Sequence, residues 1–291
     1  MQYLFVSFIS LLPLSLLHII ARPIGWLLYI THNKQRHIAE VNLQLCFSDW
    51  SANKRKKMVR QSLIETSKTL LESLKLWSCR SKQNLHLVRK VHNEELLTEA
   101  LNNKNGVLLI TPHLGNWEVV NLYCSNKHPL TSMYRTQKSA FMNQLMRKGR
   151  EQFGAQLVPA TQQGIRPQLA ALKNNELVMI LPDQNPSKGI PLFVPFFGIQ
   201  TNTPVLPIRL TQKTNATIIL AYAERLSWGR GYTLHFEKVD DALYNGNTEI
   251  AVTAMNKELE NLIRKKPQQY WWGYSRFRSR PKGEAKLYKK D

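Results

Sequence analysis

Cysteine is scarce in this sequence, and several common cofactor motifs are missing. The 291 residues contain three cysteines, Cys46, Cys79 and Cys124, and no two of them form a CxxC pair. Three widely spaced cysteines exclude a disulfide framework, give no zinc-ligand cluster and favour a reducing compartment. HExxH, P-loop and GxGxxG patterns are also missing. We therefore expect no metal, nucleotide or redox cofactor.

Acidic residues are few as well. The chain has 20 Asp and Glu against 40 Lys and Arg, a formal net charge of +20. So large an excess predicts a polyanionic partner, which can be a nucleic acid, an anionic membrane or an acidic protein. Residues 264–291 contribute ten basic and two acidic residues interleaved with aromatic ones. That mixture suits single-stranded nucleic acid or a membrane interface, and a solvated basic tail is the simpler alternative.

Charged residues are missing altogether from residues 2–21. Twenty residues of helix rise about 30 Å, which matches the hydrocarbon thickness of a bilayer. A cleaved signal peptide fits less well, because no basic residue precedes the stretch and no small-x-small site follows it. Arg22, Lys34 and Arg36 follow it, so the positive-inside rule places the rest of the chain in the cytoplasm. We predict a membrane anchor, spanning or interfacial, with a buried core helix as the alternative.

Apolar runs alternate with helical periodicity along the rest of the chain. Runs at 107–111, 177–181 and 218–223 are typical of buried strands, with weaker candidates at 130–134 and 232–236. Helical spacing occurs at 57–77, 117–125, 141–153, 165–173 and 249–265. This pattern predicts one α/β domain with a mostly parallel sheet flanked by helices, plus an N-terminal membrane helix. We divide the chain into an anchor (1–31), a helical lead-in (32–104), an α/β core (105–266) and a C-terminal tail (267–291).

A histidine and a glutamate follow the first buried strand. His113 lies two residues beyond that strand, and active sites of α/β sheets gather at carboxyl ends of strands. Gly115 permits a bend and Asn116 is a good N-cap, so a helix beginning there could bring Glu118 back towards the imidazole. A glutamate on one ring nitrogen would leave the other as a general base. A histidine that merely packs is the alternative.

The segment His113-Leu-Gly-Asn-Trp-Glu118 resembles the H-x4-D/E motif of the glycerolipid acyltransferase superfamily. Its form is similar to that of the lipid A late acyltransferases, the lauroyl/myristoyl transferase family, and five further segments resemble that family in the same order. These are residues 36–47, Met133-Tyr-Arg135, Leu181-Pro-Asp-Gln184, Val194-Pro-Phe-Phe-Gly198, and Pro267-Gln-Gln-Tyr-Trp-Trp272 with Arg276-Phe277.

The resemblance implies a glycerol-3-phosphate acyltransferase-like fold and transfer of an acyl chain from acyl carrier protein to a hydroxyl of a phosphorylated glycolipid. His113 would be the general base and Glu118 would orient it. Backbone N–H groups near Gly115, with Asn116, would stabilise the oxyanion. The thioester donor would make a further cofactor unnecessary.

The resemblance also suggests substrate-binding residues. Arg135 would bind an acceptor phosphate, Arg147 and Arg150 would extend that site, and a solvated helix face is the alternative for the last two. Asp183 and Gln184 would hold the site together or bind acceptor hydroxyls, unless the aspartate only forms a turn.

The expected partners are acyl carrier protein, a glycolipid and an anionic inner membrane, with the catalytic part on its cytoplasmic side. Nucleic acid is not expected. Two rival functions stay open: a related acyltransferase acting on a lysophospholipid or another glycolipid, and a membrane-tethered nucleic-acid binder.

Overall fold

The computed structural model describes residues 2–78, 81–186 and 189–288. The strands are β1 (Val88–His92), β2 (Val107–Ile110), β3 (Leu130–Tyr134), β4 (Gln156–Pro159), β5 (Leu177–Ile180), β6 (Phe193–Phe196), β7 (Ile199–Asn202), β8 (Thr217–Arg225) and β9 (Tyr232–Lys238). The helices are α1 (Gln2–Leu11), α2 (Leu14–Ile30), α3 (Lys34–Cys46), α4 (Ala52–Leu76), α5 (Glu95–Asn102), α6 (Trp117–Lys127), α7 (Ala140–Glu151), α8 (Ile165–Lys173), α9 (Leu206–Thr214) and α10 (Thr248–Lys265).

Seven strands form one sheet in the order β1-β9-β8-β2-β5-β3-β4. Every pairing in it is parallel except that of β8 with β9. Strands β2 and β5 lie next to each other near the centre, and both are buried along their whole length. Such strands read as continuous apolar runs because both faces are covered. The prediction of an α/β domain with a mostly parallel sheet is confirmed.

The two faces of the sheet carry separate apolar cores. Along β2, Leu108 and Ile110 belong to the core that α8, α9 and α10 cover. Val107 and Leu109 belong to the other core, with side chains of α2, α5 and α6. This alternation is the period of two that a strand imposes.

The weaker strand candidates at 130–134 and 232–236 are also strands. The sequence pattern did not predict β1, β4 or the β6–β7 hairpin. Strands β1 and β4 are the two edges of the sheet. Edge strands bury fewer side chains, and β1 indeed has no fully buried residue. The continuous apolar run that reveals a central strand is therefore absent there.

The N-terminal apolar stretch is not one helix. It is interrupted at Pro13, where α1 ends and α2 begins. Proline has no N–H to donate and disfavours helix in the residue before it. In the described part of the chain, no single helix is long and apolar enough to cross a membrane; α2 and α3 together, bent by 81°, have sufficient length and composition. The membrane anchor stays a prediction.

Much of the C-terminal segment packs into the body of the domain. Tyr270, Trp272 and Phe277 are buried in the core that α10 covers. The Asn42 side chain on α3 donates to the carbonyl oxygens of Trp272 at 2.7 Å and Tyr274 at 2.8 Å. Aromatic rings held in this way are not free to bind bases or headgroups, and residues 289–291 of the predicted tail lie outside the described part of the chain.

Two of the three cysteines can be placed. Cys46 and Cys124 are buried free thiols, and burial raises the pKa of each. Cys79 lies outside the described residues.

Candidate active site

A cavity of about 980 Å³ opens at the carboxyl ends of β2, β3 and β5. Its polar lining includes His113, Glu118, Arg135, Arg150 and Gln184, and its apolar lining includes Leu70, Trp77, Met133, Met146, Leu169, Leu206 and Trp271. A cavity with mostly apolar walls and a few converging polar groups suits an amphipathic substrate.

Strand register brings His113 and Asp183 together. His113 lies three residues after Ile110, where β2 ends, and Asp183 lies three residues after Ile180, where β5 ends. Ile110 and Ile180 are paired across the two parallel strands. Equal offsets from a paired position therefore place the two side chains at the same height above the sheet edge.

Asp183 holds His113 at two points. Its Oδ1 lies 2.7 Å from Nδ1 of the imidazole, and its Oδ2 accepts from the His113 backbone N–H at 2.9 Å. Nε2 of the ring lies 3.1 Å from Nε2 of Gln184. An amide nitrogen can only donate, and a carboxylate can only accept. The contacts therefore fit one tautomer, in which Nδ1 carries the proton and the lone pair of Nε2 accepts from Gln184.

The charge of Asp183 is maintained although the carboxyl is buried. Burial alone would raise its pKa, but the adjacent His113 ring and backbone hydrogen bond outweigh that effect and lower the pKa below its usual value. A carboxylate that stays ionised can orient the imidazole and stabilise its protonated form.

Two tryptophans form a wall beside the imidazole. The ring centre of His113 lies 4.7 Å from that of Trp117 and 5.7 Å from that of Trp271. The indoles stack on each other 5.8 Å apart at 8° between planes. This wall restricts the ring orientation of His113, whose side chain is 14% exposed.

Glu118 does not contact His113, so the predicted pairing is wrong in geometry. The Glu118 carboxylate is buried and accepts from Arg150 at 2.8 Å and 2.5 Å and from Nε1 of Trp77 at 2.9 Å. Burial would raise its pKa, but the Arg150 charge lowers it. The reason is that Glu118 lies in the first turn of α6 and its side chain points towards α4 and α7. The carboxylate beside His113 is instead that of Asp183, which follows β5.

The loop 113–116 is fixed by backbone hydrogen bonds on both sides. Gly115 N–H donates to Gln269 O at 3.0 Å, Asn116 N–H donates to Ala223 O at 3.2 Å, and Trp271 N–H donates to His113 O at 3.0 Å. Both N–H groups expected to stabilise an oxyanion are thus already used. Neither group is free to donate to an oxyanion in this structure, because both donate to backbone carbonyl oxygens of neighbouring segments.

Asn116 is a structural residue and does not line the cavity. Its side chain is completely buried, and Oδ1 caps α6 by accepting from the Glu118 N–H at 3.2 Å. Its Nδ2 donates to Glu72 at 3.0 Å. An N-cap whose amide is also satisfied inside the protein has no group left for a substrate.

A buried charged cluster, His18, Thr69, Glu72 and Arg225, lies behind this loop. Arg225 donates to both Glu72 oxygens at 2.6 Å and 2.7 Å, and Nε2 of His18 lies 2.6 Å from the same carboxylate. Thr69 and Arg225 donate to the Gly115 carbonyl at 3.0 Å and 3.2 Å. Despite burial, Arg225 lowers the pKa of Glu72 far below its usual value. The cluster is therefore charged at neutral pH and fixes the Gly115 peptide.

We expect Gly115→Ala to disrupt this loop. Gly115 has φ +62°, and a Cβ there would lie 1.9 Å from Ala223 O. Left-handed backbone and overpacking together should lower the free energy of unfolding by about 2–5 kcal/mol and reduce activity at least about tenfold. Thermal unfolding and an enzyme assay measure the two effects.

Gly154→Ala is the matched control, because Gly154 has φ +93° but nothing within 4 Å of a Cβ. It should show the backbone effect alone and keep its activity. Equal losses in the two variants would contradict the importance of the close approach to Ala223.

The predicted phosphate-binding arginines separate into two groups. Arg135 is exposed and lines the cavity, as does Arg150 in its pair with Glu118. Arg147 is exposed outside the cavity lining, pairs with Glu151 at 3.2 Å and lies over the Tyr134 ring. Arg147 therefore lies on a solvated helix face, which was the alternative to a phosphate-binding role.

Sequence reasoning missed the roles of Trp77 and Trp271 and the direct contact of Asp183 with His113. Asp183 was a candidate from its motif, but for holding the site or binding acceptor hydroxyls, and Trp271 lies in a segment that resembles a family motif and could have been singled out. Trp77, at the end of α4, carries no such signal, because its contact with Glu118 depends on helix packing.

Comparison with known proteins gives consistent matches. The family described as bacterial lipid A biosynthesis acyltransferase matches residues 2–279. The chain is 27% identical over 284 residues to a lipid A biosynthesis palmitoleoyltransferase of Escherichia coli (strain K12), covering 95% of this chain and 90% of the relative. It is 24% identical to the lauroyltransferase of that organism, covering 95% and 90%, and 23% identical to the myristoyltransferase, covering 88% and 79%.

Proposed function

The chain belongs to the bacterial lipid A biosynthesis acyltransferase family, and we propose that it transfers a fatty acyl chain from acyl carrier protein to a hydroxyl of a phosphorylated lipid A precursor. It is therefore an acyltransferase with a glycolipid acceptor. The relatives differ in the acyl group that their names specify: palmitoleoyl, lauroyl and myristoyl. The donor, the base and the binding residues are parts of the proposal.

His113 is the general base in this proposal. Its Nε2 takes the proton of the acceptor hydroxyl while the hydroxyl oxygen attacks the thioester carbonyl carbon. The C–S bond then breaks, and the imidazolium returns the proton to the leaving thiolate. The observation that carries this assignment is the imidazole with Nδ1 on buried Asp183 and Nε2 at the cavity. A general base needs a fixed tautomer with an unprotonated nitrogen that can accept the substrate proton.

Asp183 and Gln184 have separate roles in the proposal. Asp183 orients His113 from behind and does not reach the substrate. Gln184 lines the cavity and donates to Nε2 of His113 at 3.1 Å, the position that an acceptor hydroxyl would take. We propose that the Gln184 amide turns to the acceptor once the hydroxyl is bound.

Arg135 and Arg150 form the proposed phosphate site. Arg135 has no ion pair among the described contacts and lines the cavity. Arg150 is fixed by Glu118, so its guanidinium is held at the cavity wall while part of its charge is neutralised. A free arginine can bind a phosphate with two parallel hydrogen bonds. Arg135 is therefore the main phosphate ligand, and Glu118 positions Arg150.

We expect Arg135→Ala to raise the KM for the phosphorylated acceptor about tenfold or more with a smaller change in kcat, because a charge-assisted pair is lost. Steady-state kinetics at varied acceptor concentration test this. Arg147→Ala is the control and should leave the KM unchanged. Equal effects of the two substitutions would count against a phosphate site at Arg135.

Charge supports the proposed carrier donor and the location. A net charge of +20 would steer an acidic carrier protein towards the enzyme. The same charge suits the anionic inner leaflet of the bacterial inner membrane, with the catalytic part on the cytoplasmic side. The reaction as proposed requires neither a metal nor a redox cofactor, and no nucleic-acid partner.

The direct test is acyl transfer by the detergent-solubilised full chain. Acyl carrier protein and coenzyme A thioesters of several lengths are offered with a phosphorylated lipid A precursor, and mass spectrometry detects the product. We expect the precursor to gain one acyl group from carrier thioesters. Product with coenzyme A alone would overturn the donor assignment. Acylation of a lysophospholipid and not of the precursor would favour the alternative acceptor.

A further inference from the structure

The outward side of α1 and α2 is apolar. Eleven of the sixteen large apolar side chains that are exposed among the described residues lie between Tyr3 and Ile30. Of these eleven, the most exposed are Leu4, Ile19 and Phe8, at 75%, 61% and 60%. We call these eleven exposed side chains of residues 3–30 the N-terminal apolar face. Monomeric proteins rarely expose so concentrated an apolar surface without a partner.

The opposite side of the same helices is fixed to α4. The buried residues of α2 include Leu17, His18, Ala21 and Gly25, which recur at helical spacing. A Cβ on Gly25 would lie 2.4 Å from Cα of Ile64, so the two helices touch backbone to backbone. The buried contact of His18 with Glu72 at 2.6 Å adds a polar attachment.

These attachments determine how the helices can meet a bilayer. A helix that crosses a membrane is surrounded by lipid or by other spanning segments. Helices α1 and α2 instead lie along α4, whose residues also face the cavity and Arg225. Only one of their faces is open, and an amphipathic face of this kind enters about 5–10 Å into the headgroup and acyl boundary.

Aromatic and basic groups border the N-terminal apolar face. Trp228 is 76% exposed beside α2, with Arg22 5.4 Å from its ring. Tyr3 donates to Gln144 on α7 at 2.8 Å, the helix that also carries exposed Arg147 and Lys148. Indole and phenol rings favour headgroup depth, and basic side chains there attract anionic lipids. This border identifies the partner as an anionic bilayer rather than an apolar protein surface.

The N-terminal apolar face also borders the cavity. Leu70 on α4 is 55% exposed and lines the cavity. Tyr3 on α1 touches α7, which supplies Met146 and Arg150 to the cavity wall. Helix α1 therefore lies against α4 and α7, two helices that line the cavity. Lipid in contact with α1 is then next to the mouth of the cavity.

We infer that the N-terminal apolar face docks into one leaflet of an anionic phospholipid bilayer without crossing it, and that the lipid acceptor enters the cavity from this leaflet past Leu70. The route of the acceptor rests on the proposed function, whereas the docking does not. The docking also differs from a spanning anchor, which the sequence left as one of two arrangements.

Vesicle binding by the full chain, without acyl donor or acceptor, tests the docking. We expect binding to phosphatidylglycerol vesicles to exceed binding to phosphatidylcholine vesicles. Leu4→Ser with Phe8→Ser should weaken partitioning about tenfold or more, since two large apolar side chains no longer enter the lipid. Ile19→Ser should weaken it less, and Ile250→Ser should not change it, because Ile250 is an exposed isoleucine on α10, outside the N-terminal apolar face. Unchanged partitioning of the double variant, or no preference for anionic lipid, would overturn the inference.

Sidedness distinguishes docking from spanning. An epitope placed before Gln2 should be digested together with the catalytic body when protease is added to the cytoplasmic face of sealed inverted membrane vesicles. Protection of the epitope while the body is digested would show a span and overturn one-leaflet docking. Since neither assay measures acyl transfer, a failure of the proposed reaction would leave both readouts unchanged.

Discussion

His113→Ala should lower kcat by about 10²–10⁴-fold, because the variant has no group to take the proton of the acceptor hydroxyl. The KM for the acceptor should change little, since Arg135 and the apolar walls of the cavity remain. Single-turnover acyl transfer from carrier thioester to the phosphorylated precursor measures the loss at the chemical step.

The control for this variant is His128→Ala. His128 follows α6, is half-buried and lies outside the cavity lining. It should retain wild-type kcat and show that loss of a histidine is not itself harmful. Near wild-type activity of His113→Ala would remove the basis of the proposed mechanism.

Asp183→Asn should lower kcat by about 10³–10⁴-fold, as expected when a base loses the carboxylate that fixes its tautomer. The asparagine amide can donate to Nδ1 and thereby favour the tautomer with the proton on Nε2, which can no longer accept from a hydroxyl. The negative charge that stabilises the imidazolium is lost as well. Pre-steady-state kinetics with the carrier donor would measure the drop in kcat.

Glu118→Gln is the comparison that decides which carboxylate serves His113. Glu118 contacts Arg150 and Trp77, so its loss should destabilise the fold and displace Arg150, raising the KM for the phosphorylated acceptor. Leaving a buried arginine without its partner costs about 3–5 kcal/mol. A folded Glu118→Gln variant with a pure kcat defect, alongside an active Asp183→Asn, would reverse the two assignments.

The sequence predicts the central strands well because burial on both faces leaves a continuous apolar run. Val107–Ile110 and Leu177–Ile180 are strands, and each lies within a segment that the pattern marked. It also predicts that residues after β2 and β5 share one sheet edge. To predict that Asp183 is the partner of His113, one must also know that β2 and β5 are neighbours and in which register they pair. No local pattern encodes that pairing, so the carboxylate five residues away looked better than the one seventy residues away.

Long-range packing also explains the other misses. Glu72 lies in the middle of a helical pattern, and nothing around it in sequence indicates an arginine on β8. The N–H groups of Gly115 and Asn116 looked free because the segment that accepts one of them, around Gln269, was expected to be a separate tail.

The buried cluster has a practical consequence for preparing the enzyme without lipid. Shortening the chain before Arg22 removes His18 and uncovers Glu72, an ionised carboxylate packed against Arg225. The same carboxylate binds Asn116 and, through Arg225, supports the Gly115 carbonyl. The segment before Arg22 thus helps to hold the loop 113–116 in place. To make the enzyme more soluble, it is better to replace the outward apolar side chains of this segment one at a time than to delete the segment.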